Sequence, residues 1–109
     1  MKEIPRMAIE EVEIDAASAR ILVRPVVAPS EHYEYIYRTG TGVRWVPEQR
    51  ALAPYEVGGM SPAWWFGQIV AAVRSEYGQR LELRPETRWT SVPEETRREI
   101  EAIVAQHAV

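Results

Sequence analysis

The stretch Ser61-Pro-Ala-Trp-Trp-Phe-Gly-Gln-Ile-Val-Ala-Ala-Val-Arg-Ser-Glu-Tyr-Gly78 decides how this chain folds. Ser61 is a good N-cap, and Pro62 suits the first helical position, where no N–H is needed. Phe66, Ile69, Val70, Val73 and Tyr77 then recur at helical spacing and form one apolar face. Gly78 supplies a left-handed stop. Trp65 lies beside the apolar face and is expected to pack inward. Trp64 lies off it, about 120° from Val70 at 100° per residue, on the side of Gln68, Ala71 and Ser75.

Upstream, the pattern is that of strands. Val12 and Ile14 alternate with Glu11 and Glu13 from Ile9 onward, as in a half-buried strand. Residues 15–19 read as a connection. Arg20 to Arg24 alternates again, with Ile21 and Val23 on one face, so a first hairpin is expected. Pro25 and Pro29 bracket a loop. His32 to Arg38 reads as a strand with Tyr33, Tyr35 and Tyr37 on one face and His32, Glu34, Ile36 and Arg38 on the other. Thr39-Gly-Thr-Gly42 turns the chain into a strand over Val43-Arg-Trp-Val46. Pro47 to Arg50 forms a second turn, Ala51 to Tyr55 a short strand, and Gly58-Gly59 closes this half.

Downstream of the helix, Leu81 and Leu83 point inward from a short strand over Arg80 to Arg84. Ser91 and Glu94 have the spacing of a capping box. Ile100, Ile103, Val104 and His107 make the buried stripe of a final helix, with Arg97, Arg98, Glu99 and Glu101 mainly outside. The predicted fold class is α+β: a mostly antiparallel sheet of four to five strands with two helices packed on one face. Residues 1–8 are expected to be a flexible arm and 9–109 a single domain.

Composition narrows the function. The chain has 109 residues, 46% hydrophobic and 27% charged, which suits one globular domain with its own core. With no cysteine, a disulfide framework, a zinc–thiolate site and a thiol nucleophile are all excluded. The longest apolar run, Ala63 to Val73, is too short to span a bilayer, and residues 1–13 contain no secretory h-region. A cytoplasmic protein without a membrane partner is expected. Basic residues are 12 Arg and one Lys, yet the net charge is −3, which argues against a nucleic-acid partner.

Three stretches carry a family resemblance: Tyr33-Glu-Tyr-Ile-Tyr-Arg38 running into Gly42-Val-Arg-Trp45, then residues 64–78, then Thr87-Arg-Trp-Thr-Ser-Val-Pro-Glu-Glu95. In hydrophobic and aromatic spacing they resemble small proteins encoded by mobile integron gene cassettes of environmental bacteria. The resemblance covers most of residues 9–104. It implies a small bacterial α+β domain and brings no catalytic residue and no cofactor with it.

The chemistry-bearing residues point the same way. His32 and Glu34 share a predicted strand face but lack a third metal ligand, so no metal site is expected. His107 fits the last turn of a helix, where a cation complements the dipole. No nucleophile elbow or phosphate loop is present; Gly58-Gly59 before a helix start is best read as a connector. The aromatic residues are the informative feature. Tyr35, Trp45, Trp65 and Trp89 are candidate walls of a cavity for a planar, apolar or cationic small molecule. Trp64, with Gln68 and Ala71 on its row, is the candidate contact of a homo-oligomer. The leading expectation is a non-enzymatic binding or interaction domain that self-associates or takes a protein partner. A small-molecule-binding module is the alternative.

Overall fold

A computed structural model describes residues 4–26 and 31–107. Its elements run β1 (Arg6–Ile14), β2 (Ile21–Pro25), a 3-10 helix (Glu31–Thr39), β3 (Val43–Val46), β4 (Ala51–Pro54), α1 (Pro62–Tyr77), β5 (Arg80–Glu82), β6 (Arg88–Thr90) and α2 (Glu94–His107). The class is α+β, with helices packed on the sheet. The sheet is mixed, with three antiparallel pairings and two parallel ones, in the order β3-β4-β2-β1-β5, with β6 also paired to β1. β1 is antiparallel to β2 but parallel to both β5 and β6. Residues 6–8, expected in the arm, are strand and pair with β5.

The β1–β2 turn is built on the chain's one aspartate. Asp15 accepts from the Ser18 hydroxyl at 2.7 Å and from the Ala17 N–H at 3.3 Å, while Ala19 turns left-handed at φ 59°. The Ser18 bond, followed by the Ala17 bond, holds the Asp15 carboxyl below its ordinary range.

Ile9 and Val12 are both fully buried although three residues apart. A strand of period two cannot hold both on one face without an extra residue. The register against β2 shifts between Ile9 and Glu11, which supplies it. The Ile9 carbonyl accepts from the Thr87 hydroxyl at 2.7 Å, and that hydroxyl oxygen accepts from the Arg84 N–H at 2.9 Å. Thr87, only 6% exposed, thus ties the β5–β6 connection to the bulge in β1.

Residues 32–38 are not a strand. Tyr33 and Ile36 are buried and Thr39 is half-buried, a spacing of three that matches the three residues per turn of a 3-10 helix. No strand face holds Tyr33 and Ile36 together, whereas this helix does. Tyr35 and Tyr37 are left exposed, at 39% and 62%.

α1 matches its expected limits. The Ser61 hydroxyl accepts from the Trp64 N–H at 3.2 Å, Pro62 opens the first turn, and Gly78 ends it at φ 63°. Ala63, Trp65, Phe66, Ile69, Val70, Ala72 and Val73 are buried beneath it. Trp65 donates from Nε1 to the Val57 carbonyl at 2.8 Å, and its ring lies where a Cβ on Gly42 would meet it at 3.1 Å. α2 starts at Glu94, with Arg97 N–H bonded to the Pro93 carbonyl at 2.9 Å. Ser91 is left-handed at φ 56°, incompatible with an N-cap, so the expected capping box does not form. Ile100 is fully buried, and Ile103 and Val104 pack against the core. The His107 side chain is outside the described set.

Two expectations follow. Thr87→Val keeps the side-chain shape but leaves the Ile9 carbonyl and Arg84 N–H unpaired; it should cost about 2 kcal/mol in urea unfolding. A loss below 0.5 kcal/mol would show that the tie is dispensable. Tyr33 is buried, which raises its hydroxyl pKa from 10.0 to about 12, with Tyr77 adding to the shift. Its neutral form is favoured in the fold, so that contribution is complete below pH 10 and is lost as pH rises through 10 to 12. Tyr33→Phe should flatten the stability–pH curve in that window, followed by denaturation at each pH.

Candidate functional site

Of the four rings expected around one cavity, Trp45, Trp65 and Trp89 belong to or pack against the main core, and Tyr35 is on the surface. Trp65 is buried in the core, 7% exposed. Trp45 packs against the core beside Tyr33, ring centroids 5.7 Å apart, and Tyr33 meets Tyr77 edge-on at 5.0 Å. The Tyr33 hydroxyl donates to Gln79 Oε1 at 2.7 Å, so this cluster is satisfied internally. Tyr35 is exposed, with the Arg38 guanidinium 4.4 Å from its ring centre. Trp89 lies on the edge of two surface depressions of about 460 and 360 Å³, and Arg97 stands 4.7 Å over its ring. The cation positions over Tyr35 and Trp89 are therefore filled by the protein's own arginines.

Trp64 is 40% exposed and meets buried Trp65 edge-on, ring centroids 5.0 Å apart at 83°. Along the same row Gln68 is half-buried, while Ala71 and Ser75 are exposed. Exposed Met60, at 41%, precedes the N-cap. Consecutive tryptophans thus divide: Trp65 closes the core and Trp64 is presented outward on a rigid helix.

The sheet surface facing away from the core holds a second group of residues. Leu22, Val46, Ala51 and Ala53 form a small buried apolar floor there. Around it Arg24 donates from Nη1 to Glu13 at 2.8 Å and Glu11 at 3.2 Å, and from Nε to the Gln49 carbonyl at 2.9 Å. Glu11 also accepts from Arg88 at 3.3 Å and from the Thr90 hydroxyl at 2.5 Å. The register explains the convergence: Glu11 is opposite Arg24 on one side and Arg88 on the other. With both carboxylate oxygens taken by donors, Glu11 serves as an internal counter-ion.

Glu10, Glu11, Arg24, Pro25, Gln49 and Arg50 belong to the wall of a depression of about 310 Å³ here. Arg50 is exposed and held left-handed at φ 52° by the turn after β3. The alternation of Glu11, Glu13, Arg20 and Arg24 in a predicted hairpin was a legible signal for cross-strand pairing. Arg88 was not legible, because a parallel crossover brings it in. Among the described residues, no group of three or more His, Cys, Asp or Glu is arranged to hold a metal ion. The His32 and His107 side chains lie outside that set. No helix among the described residues is long and apolar enough to cross a membrane.

The family model for Integron Cassette Protein Hfx_Cass5 matches residues 7–87. A solved structure from the mobile metagenome of North West Arm Sewage Outfall, Integron Cassette Protein Hfx_Cass5, is 37% identical to this chain. The match covers 96% of this chain and 98% of that one, with a TM-score of 0.42. No curated protein matches the chain. On the extent of the family-model match, which spans well over half of its length, this chain belongs to the Hfx_Cass5 integron cassette protein family.

Proposed function

We propose that this domain is a non-enzymatic interaction module, acting in the cytoplasm, that self-associates through the outer face of α1. The observation that carries the reading is the exposure of Trp64 beside a buried Trp65. A tryptophan offers a large, stiff contact surface, and edge-on packing against Trp65 fixes its ring. Its row continues through Gln68, Ala71 and Ser75, small or flat residues that let a second helix approach. Trp64 and Ala71 are about 10 Å apart along the axis at 1.5 Å per residue. Two copies related by a two-fold axis, with their α1 helices antiparallel, bring each Trp64 over the partner's Ala71. Such a contact is isologous and closes as a dimer.

A small-molecule-binding module is the second reading, and the position of Trp89 at the edge of two depressions favours it. A planar ligand there has to displace Arg97 from the ring, whereas Tyr35, Trp45 and Trp65 do not line those two depressions.

Native mass spectrometry at micromolar protein distinguishes the two readings. A dimer without added mass is the expected spectrum. Trp64→Ala should weaken the dimer at least tenfold while leaving the circular dichroism spectrum and melting temperature within a few degrees of the parent. A monomeric parent, or a Trp64→Ala protein that dimerises equally well, rejects the α1 interface. A retained small molecule on a monomer favours the second reading.

A further inference from the structure

Two depressions on the outer sheet surface share Glu10, Val26 and Arg88. The first, about 310 Å³, is lined mainly by polar groups including Arg24, Gln49 and Arg50. The second, about 550 Å³, adds Ala8 and Ile9, with Arg84 and Glu86 at its rim. One has a polar wall and the other an apolar floor, and they meet at Arg88.

Counting donors and acceptors defines what fits. Glu11 is used up by Arg24, Arg88 and Thr90. Arg24 uses Nε and Nη1, leaving Nη2 without a partner among the described residues. Arg88, 65% exposed, reaches Glu11 and Glu10 through Nη2 alone, at 3.3 and 3.9 Å. Arg50 forms no ion pair among the described residues, and the turn holds its backbone at φ 52°. Against these spare N–H groups stand two carboxylates still largely free, that of Glu10, 52% exposed, and that of exposed Glu86 at the rim. The surplus is of guanidinium donors, whose planar fork suits a carboxylate or phosphate. Val26, 51% exposed, and Ala8 lie alongside as apolar surface.

We propose that the joined depressions bind a small organic oxyanion, with Arg50 and Arg88 holding the charged group and Ala8 and Val26 receiving an attached apolar part. The site lies away from the α1 face and is independent of self-association. Glu10, beside Arg88, selects against ligands bearing a second negative charge there. Glu11 acts as a positioning residue, because it fixes the Arg24 and Arg88 heads without having a free oxygen of its own.

The test is a titration of the ¹⁵N-labelled full chain with sodium acetate, sodium hexanoate and inorganic phosphate at low salt. Saturable amide shifts are expected at residues 10, 24, 26, 50 and 88. Hexanoate should bind at least tenfold more tightly than acetate because its chain has apolar surface to cover. Arg50→Ala and Arg88→Ala should each raise the hexanoate dissociation constant about tenfold or more, and Arg98→Ala, on exposed α2, should leave it unchanged. Arg50→Gln keeps the proposal testable if Arg88→Ala perturbs the sheet. Phosphate binding as tightly as hexanoate identifies the charge as the recognised feature and rejects the apolar part. Shifts spread over the surface, no saturation, or hexanoate binding by Arg50→Ala and Arg50→Gln as tight as by the parent overturns the site.

Discussion

The fold turns on the bulge in β1 and the Thr87 hydroxyl that seals it. β1 pairs with three strands, β2, β5 and β6, and the last two follow a helix. A strand with that many neighbours has no tolerance for an unpaired carbonyl at its break. Thr87 takes the Ile9 carbonyl at 2.7 Å and accepts the Arg84 N–H at 2.9 Å. One side chain therefore caps the carbonyl at the bulge and ties the connection between β5 and β6 to β1.

The same bulge divides the two sides of the sheet. Ile9 and Val12 both face the core, where α1 supplies Phe66, Ile69, Val70 and Val73. Glu11, opposite Arg24, and Glu13, opposite Leu22, face outward and both accept from Arg24, with Arg88 and Thr90 arriving from β6. The outward side is thus organised by ion pairs over a small apolar floor. Their side chains are only partly screened, 19% exposed for Arg24 and 16% for Glu11, so removing one partner is more damaging than at an open surface.

The aromatic residues serve different ends despite their similar chemistry. Tyr33, Trp45 and Trp65 join the 3-10 helix, the β3–β4 hairpin and the loop before α1 to the core. Trp64 does none of this and remains exposed. Family membership sets the context of a mobile cassette protein and leaves the activity to be found at these surfaces. An outward tryptophan on a helix and a guanidinium-rich depression on the far side of the sheet would let one small domain bind two different partners.

The sequence by itself determined the elements whose signals are local. α1 was legible to its cap residues because Ser61, Pro62 and Gly78 act within one turn of the chain. The first hairpin, β3, β4, β5 and the stripe of α2 were legible from alternation or helical spacing. The inward Trp65 and outward Trp64 followed from helix geometry alone. The 3-10 helix was not legible, because alternating Tyr, Glu and Ile also fits a strand; only burying Tyr33 with Ile36 chooses between them. The start of α2 shifted because tertiary pairing of β6 put Ser91 into a left-handed turn. Where the four candidate ligand-site rings lie relative to one another, and the meeting of Arg24, Glu11 and Arg88, depend on strand order. Strand order is set by which surfaces bury each other across the whole chain, so only the tertiary structure decided them.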